Sequence, residues 1–234
     1  MRVQQLVGLF AAACILEAAL GGCGSGVVDT EIPKQEILLV GDSIAAGVGV
    51  TSNRHSLQGR LTRARPNWFI FNVSRGGLAV AGGTPWQQNW LAAGGGPAAT
   101  VVVMLGVNDF RASVPLATFR ARYENIAVTA TYLGRNLVCV TPIWTGQEDA
   151  PDASNLQGLV LADYRKAITE VCTAHGFAVI DGANLVPHDA GLYAADGTKA
   201  LHPNAVGYRW LAQGLLPHLD RVLLHSGAAP RRRS

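Results

Sequence analysis

Five short runs of the chain, residues 37–40, 68–73, 100–105, 137–141 and 177–180, are apolar almost without interruption. Most are rich in Val and Ile, which predicts strands buried on both faces. Between them the apolar positions change period. Across 116–133 and 156–175 they recur three and four residues apart, the spacing of a helix with one buried face. Residues 57–63 and 86–93 predict shorter helices. A final helix is expected from just after Pro203 through Leu215 to about Leu224, with Pro217 a point where it would kink. Alternation of this kind predicts an α/β fold, a three-layer α/β/α sandwich around a mainly parallel five-stranded sheet. Such sheets build their sites from the loops at the carboxyl ends of the strands. Gly94 to Gly96 read as a flexible loop entering the third strand, and no internal repeat or second domain is evident.

The first two dozen residues are of another kind. Residues 6–20 are apolar except for Glu17 and follow a single Arg2. The stretch is too short to span a bilayer comfortably but suits the core of a signal peptide. It ends in Leu20-Gly21-Gly22-Cys23, which resembles the bacterial lipobox. That resemblance implies a signal peptide over 1–22 and a lipidated Cys23, a plain secretory signal with an incidental cysteine being the alternative. The residue pattern itself reads as a tether over 23–34, a domain over 35–225 and a basic tail over 226–234 holding Arg231 to Arg233. The lipobox resemblance places the protein in the cell envelope, anchored to membrane through Cys23. Gly24 rather than Asp after the cysteine favours an outer membrane where there are two.

Composition narrows the classes further. The chain is 49% hydrophobic and only 15% charged, with a formal net charge of +3. Such a composition speaks against a disordered chain or a strongly charged surface, and no cluster of Lys and Arg marks a nucleic-acid face. Of four cysteines, Cys14 leaves with the signal and Cys23 is assigned to lipid. Cys139 on a strand and Cys172 on the next helix fit either a disulfide or two buried small apolar residues. No Cys/His spacing suits zinc, and no Gly-rich phosphate loop follows the first strand. Neither metal nor cofactor is expected, and a monomer is the simplest reading.

Four loops carry candidate chemistry. The first strand ends in Gly41-Asp42-Ser43, a turn that can expose a serine hydroxyl at the sheet edge beside a helix N-terminus; Asp42 can bond backbone there. After the second strand, Asn72-Val73-Ser74-Arg75-Gly76-Gly77 can turn backbone N–H groups inward. The third strand ends in Gly106-Val107-Asn108-Asp109, which offers the Asn108 amide as a donor and Asp109 as a brace for the loop. His202, held extended by Pro203, precedes the last helix and is the usual base for a serine hydroxyl. His55, His175, His188, His218 and His225 lack such a setting and read as surface or structural.

Together these stretches, spread over about 36–224, resemble the SGNH hydrolases, also called the GDSL esterase family, and occur in that family's order. The resemblance implies a flavodoxin-like sandwich, Ser43 as nucleophile and His202 as general base. It also implies an oxyanion hole of the Ser43 N–H, the Gly77 N–H (with Gly76 as neighbouring option) and the Asn108 amide. One position departs. The family usually has an Asp three residues before the histidine, and here that residue is Lys199. Asp196, followed by Gly197, is the nearest substitute if a longer loop bulges outward; otherwise Asp189 or a backbone carbonyl would orient the ring.

The expected activity is serine ester hydrolysis of short acyl, O-acetyl or lysophospholipid esters, on a small ester or an acylated glycan or lipid. An O-acyltransferase using the same acyl-serine, and a non-catalytic glycan- or lipid-binding lipoprotein, are the other readings. The segment 144–155 is the expected specificity element, with Trp144 either a pocket wall or a residue packing the loop on the core.

Overall fold

The computed structural model describes residues 34–80 and 100–226. The expected signal peptide, Cys23 and the expected tether up to residue 33, the helix expected at 86–93, the Gly94 to Gly96 loop and the tail beyond 226 lie outside the described residues. All that follows belongs to the compact unit that begins at Pro33.

Five parallel strands form one sheet in the order β2-β1-β3-β4-β5: β1 (Gln35–Gly41), β2 (Trp68–Asn72), β3 (Thr100–Met104), β4 (Asn136–Val140) and β5 (Ala178–Ile180). The register aligns their carboxyl ends: Leu39 faces Asn72, Gly41 faces Met104, Met104 faces Val140, and Val140 faces Ile180. The strands lie within two residues of the predicted runs. In the central strands β1, β3 and β4 the apolar residues are buried throughout, as the continuous runs predict. β2 differs. It lies at the sheet edge and alternates, with Trp68 buried but Phe69 and Phe71 half exposed. Successive strand residues point to opposite faces, and only one face of β2 is well covered by the described residues.

The helices are α1 (Ser43–Ala46), α2 (Leu57–Ala64), α3 (Val107–Arg111), α4 (Leu116–Tyr132), α5 (Leu161–Ala174) and α6 (Ala205–Ser226). α2 packs against α6, and α4 against α5. Right-handed crossovers send the β1–β2 connection to one face of the sheet and the β3–β4–β5 connections to the other. The result is the expected three-layer sandwich. Phe110, Phe119, Tyr123 and Tyr164 form an aromatic cluster between α3, α4 and α5, with neighbouring ring centroids 5.0 to 5.9 Å apart. α6 runs unbroken through Pro217.

One further reading changes, and one open choice closes. The helix expected from 156 begins at Leu161, because Asn155 folds the preceding residues into a turn. Its side-chain oxygen accepts from the N–H groups of Gln157 and Leu159, at 2.9 and 3.1 Å, and Gly158 is left-handed at φ 71°. Leu156, apolar at helical spacing, is almost fully exposed. Between Cys139 and Cys172 the structure chooses the bridge: the two are disulfide-bonded, with Cα atoms 6.6 Å apart, and tie β4 to α5.

Candidate active site

β1 stops at Gly41 because Asp42 caps the next helix. The Asp42 carboxylate accepts the Ile44 N–H at 2.8 Å. Ser43 is therefore the first residue of a one-turn helix, where a backbone amide has no helical acceptor behind it. The serine is 7% exposed and sits at the carboxyl edge of the sheet. Asp42 itself is buried, which pushes its carboxyl up to about 7; the Ile44 N–H opposes the shift, and the buried Asp109 adds to it.

The 75–78 segment lies against the serine. The Arg75 N–H donates to Gly41 O at 3.0 Å, and the Leu78 N–H closes a turn onto Arg75 O at 3.2 Å. Gly77 is the third residue of that turn with φ 75°, a conformation that side chains oppose. A Cβ placed on Gly76 would lie 4.0 Å from the Ser43 Cβ. Asn108, on the first turn of α3, donates its amide to Leu78 O at 3.0 Å, and a carboxamide nitrogen keeps a second hydrogen for another acceptor. Asp109, fully buried, accepts the Val80 N–H at 2.9 Å; it is a brace as expected, but of the 78–80 segment rather than of its own loop.

His202 comes from the segment just before α6. Its backbone is tied by Ala194 N–H to His202 O at 2.8 Å and by the antiparallel bridge of Tyr193 with Pro203. Gly49 leaves it room: a Cβ there would stand 2.4 Å from Pro203 O and 3.2 Å from the His202 Cβ. The ring's Nε2 lies 2.9 Å from Ser43 Oγ, and Nδ1 lies 2.5 Å from an Asp196 carboxylate oxygen. With Nδ1 donating to the carboxylate, Nε2 is the acceptor for the serine proton.

Asp196 reaches the ring because the loop coils back. Gly197, Lys199 and Ala200 are left-handed, at φ 78°, 52° and 53°. The outward bulge takes up the three extra residues. Lys199, where the family has its acid, turns outward to Asp152, with Nζ 3.3 Å from a carboxylate oxygen. The loop rests on the segment after β4, through Gly146 N–H to Ala200 O at 3.3 Å. Asp189 instead caps the turn of residues 190–192 through the Gly191 N–H.

Thr198 is the residue that sequence reasoning missed here. Its hydroxyl and its N–H both donate to Oδ1 of Asp196, leaving Oδ2 for the histidine. These bonds, the Thr198 hydroxyl first, hold the Asp196 carboxyl down at about 2. The Asp196-Gly197-Thr198 order, an acid two residues before a hydroxyl, is the signal that could have found it. Trp144 is 4% exposed, stacks on His188 at 5.1 Å and meets the edge of Tyr193 at 5.4 Å. It packs the loop on the core and forms no open wall. His175 pairs with Glu124, a structural use. A small, mainly apolar cavity flanked by Asp42 and Ile44 lies at the ends of β1, β3 and β4. Among the described residues no cluster of His, Cys, Asp or Glu is suited to a metal, and no helix is long and apolar enough to cross a membrane.

A serine hydroxyl facing an imidazole that a carboxylate orients, at the carboxyl edge of a parallel sheet, is the arrangement of acyl-group hydrolases and transferases. The chain belongs to the GDSL-like lipase/acylhydrolase family, whose model matches residues 39–210. Solved structures share the fold. TesA is 24% identical over 81% of this chain and 100% of its own, with a TM-score of 0.65. The lipase/acylhydrolase from Enterococcus faecalis is 22% identical over 86% and 100%, at 0.63. The salicylyl-acyltransferase SsfX3 from a tetracycline biosynthetic pathway is 19% identical over 85% and 56%, at 0.67. A comparison with curated proteins finds no match.

Proposed function

We propose that the protein is a serine ester hydrolase acting on short acyl or O-acetyl esters through an acyl-Ser43 intermediate. The observation that carries this is the unbroken chain from Ser43 Oγ to His202 Nε2, at 2.9 Å, and from His202 Nδ1 to Asp196, at 2.5 Å. His202 takes the serine proton as Oγ attacks the ester carbonyl. The tetrahedral oxyanion is met by the Ser43 and Gly77 N–H groups and the free hydrogen of the Asn108 amide. Collapse expels the alcohol, protonated by His202, and leaves the acyl-enzyme. Water then attacks with His202 again as base, releasing the acid and restoring Ser43. The lack of a long lid-like insertion between Asn108 and His202 favours short acyl groups.

The reading includes export and anchoring through Cys23. The apolar 6–20 stretch ending at Gly22-Cys23 supports it, as does a Cys139–Cys172 disulfide of the kind oxidising compartments maintain.

The test is hydrolysis of p-nitrophenyl esters from acetate to long acyl chains by wild type and Ser43→Ala. Turnover by the wild type, highest on short chains and abolished in the folded variant, is the expected outcome. A folded wild type inert on every chain length would reject hydrolysis of simple esters. Activity surviving in Ser43→Ala would reject the nucleophile.

A further inference from the structure

α1 is a single turn, and one turn has too few internal hydrogen bonds to hold its own shape. Its terminal carbonyls are instead secured from outside and from the chain that follows. Val48 N–H bonds Ser43 O at 2.9 Å and Gly47 N–H bonds Ile44 O at 3.1 Å. The Asn72 amide, from the end of β2, donates to Ala45 O at 2.9 Å. The Tyr208 hydroxyl, from α6, lies 2.8 Å from both Ile44 O and Val48 O, so its one proton is shared between the turn and the residue that leaves it. Tyr208 is fully buried, and burial raises its hydroxyl so that it stays a donor.

Tyr208 also stands in fixed relation to the base. Asn204 caps α6, accepting the Val206 and Gly207 N–H groups at 2.9 and 3.1 Å, and Tyr208 N–H bonds Asn204 O at 2.9 Å. One helical turn therefore separates the His202-Pro203-Asn204 segment from the hydroxyl that grips the serine's helix. We propose that Tyr208 is a positioning residue: it sets the Ser43 hydroxyl and amide at their working distance from His202 by tying α1 to the helix that carries the base. Asn72 secures the same turn from the sheet side. The inference deepens the hydrolase reading and rests on it for its kinetic readout.

The experiment compares wild type, Tyr208→Phe and Tyr123→Phe in the full chain. Tyr123 is the control because its buried hydroxyl has no hydrogen-bond partner among the described residues, so its removal breaks no bond. Two readouts are used: p-nitrophenyl butyrate kinetics below the melting range, and amide hydrogen exchange over residues 44–48. In Tyr208→Phe, kcat should fall about 10- to 100-fold with KM within about twofold, as slight misplacement of reacting groups does. Exchange should quicken in 44–48 ahead of β3 and β4. Tyr123→Phe should match wild type in both.

Wild-type kcat in folded Tyr208→Phe would overturn the inference. So would faster exchange spread evenly over the sheet, which marks a plain core defect. If the wild type hydrolyses no ester, the hydrolase reading fails while exchange still judges the clamp. Quickening confined to 44–48 would then support the tie, and unchanged exchange would overturn it.

Discussion

Asp196 divides its carboxylate between two partners, Thr198 on one oxygen and His202 on the other. Orientation of the imidazole by such an acid is worth up to about 10,000-fold in triad enzymes, so Asp196→Ala should cut kcat by about 1,000-fold or more with KM little changed. Steady-state kinetics on p-nitrophenyl acetate checks this, and a loss under tenfold would assign the orienting role elsewhere. The same carboxyl is held down at about 2, below its unfolded value of 3.8. It therefore contributes stability that is fully present above pH 4 and is lost as pH falls through 2. Chemical denaturation of wild type and Asp196→Ala at pH 5 and pH 2 should show their difference shrinking. At this scale Ser43, Asn108 and His202 stand out in sequence because each sits beside a local punctuation mark: a strand end, a helix start or a proline. The approach of Asp196 to His202 is less legible. It depends on left-handed backbone at Lys199 and Ala200, residue types that do not announce that conformation.

Among the elements, the central strands are the most legible, since burial on both faces leaves an uninterrupted apolar run. The β2 edge and the start of α5 are less so. Phe69, Phe71 and Leu156 are apolar yet exposed, and periodicity carries no information about which neighbour covers a face. The disulfide lies beyond sequence for a related reason, because spacing along the chain does not give the 6.6 Å between two Cα atoms. It closes a span of 33 residues, for which chain-entropy arguments give about 3–4 kcal/mol. The double variant Cys139→Ala/Cys172→Ala should lose about that much in denaturant titration while keeping ester turnover, since β4 and α5 supply none of the Ser43, His202 and Asp196 groups. An unchanged midpoint would mean that the bridge contributes nothing.

The whole molecule gathers its site where the connections part. β1 and β3 are neighbours, but their chains leave toward opposite faces, and the crevice between them takes Ser43 from one and Asn108 from the other. If Cys23 anchors this assembly, the wild type should sediment with membranes through a high-salt wash, and Cys23→Ser should be released to the supernatant. Equal retention of both would remove the anchor from the reading. The outward loop of residues 197–200 has one more consequence. It leans on Gly146 and reaches Asp152, both within the 144–155 stretch that the sequence reading expects to set specificity. An engineer who varies residues 145–155 to change preference would also disturb the backing of the acid. Selectivity and speed would then be inherited together, and a screen for one would drag the other along.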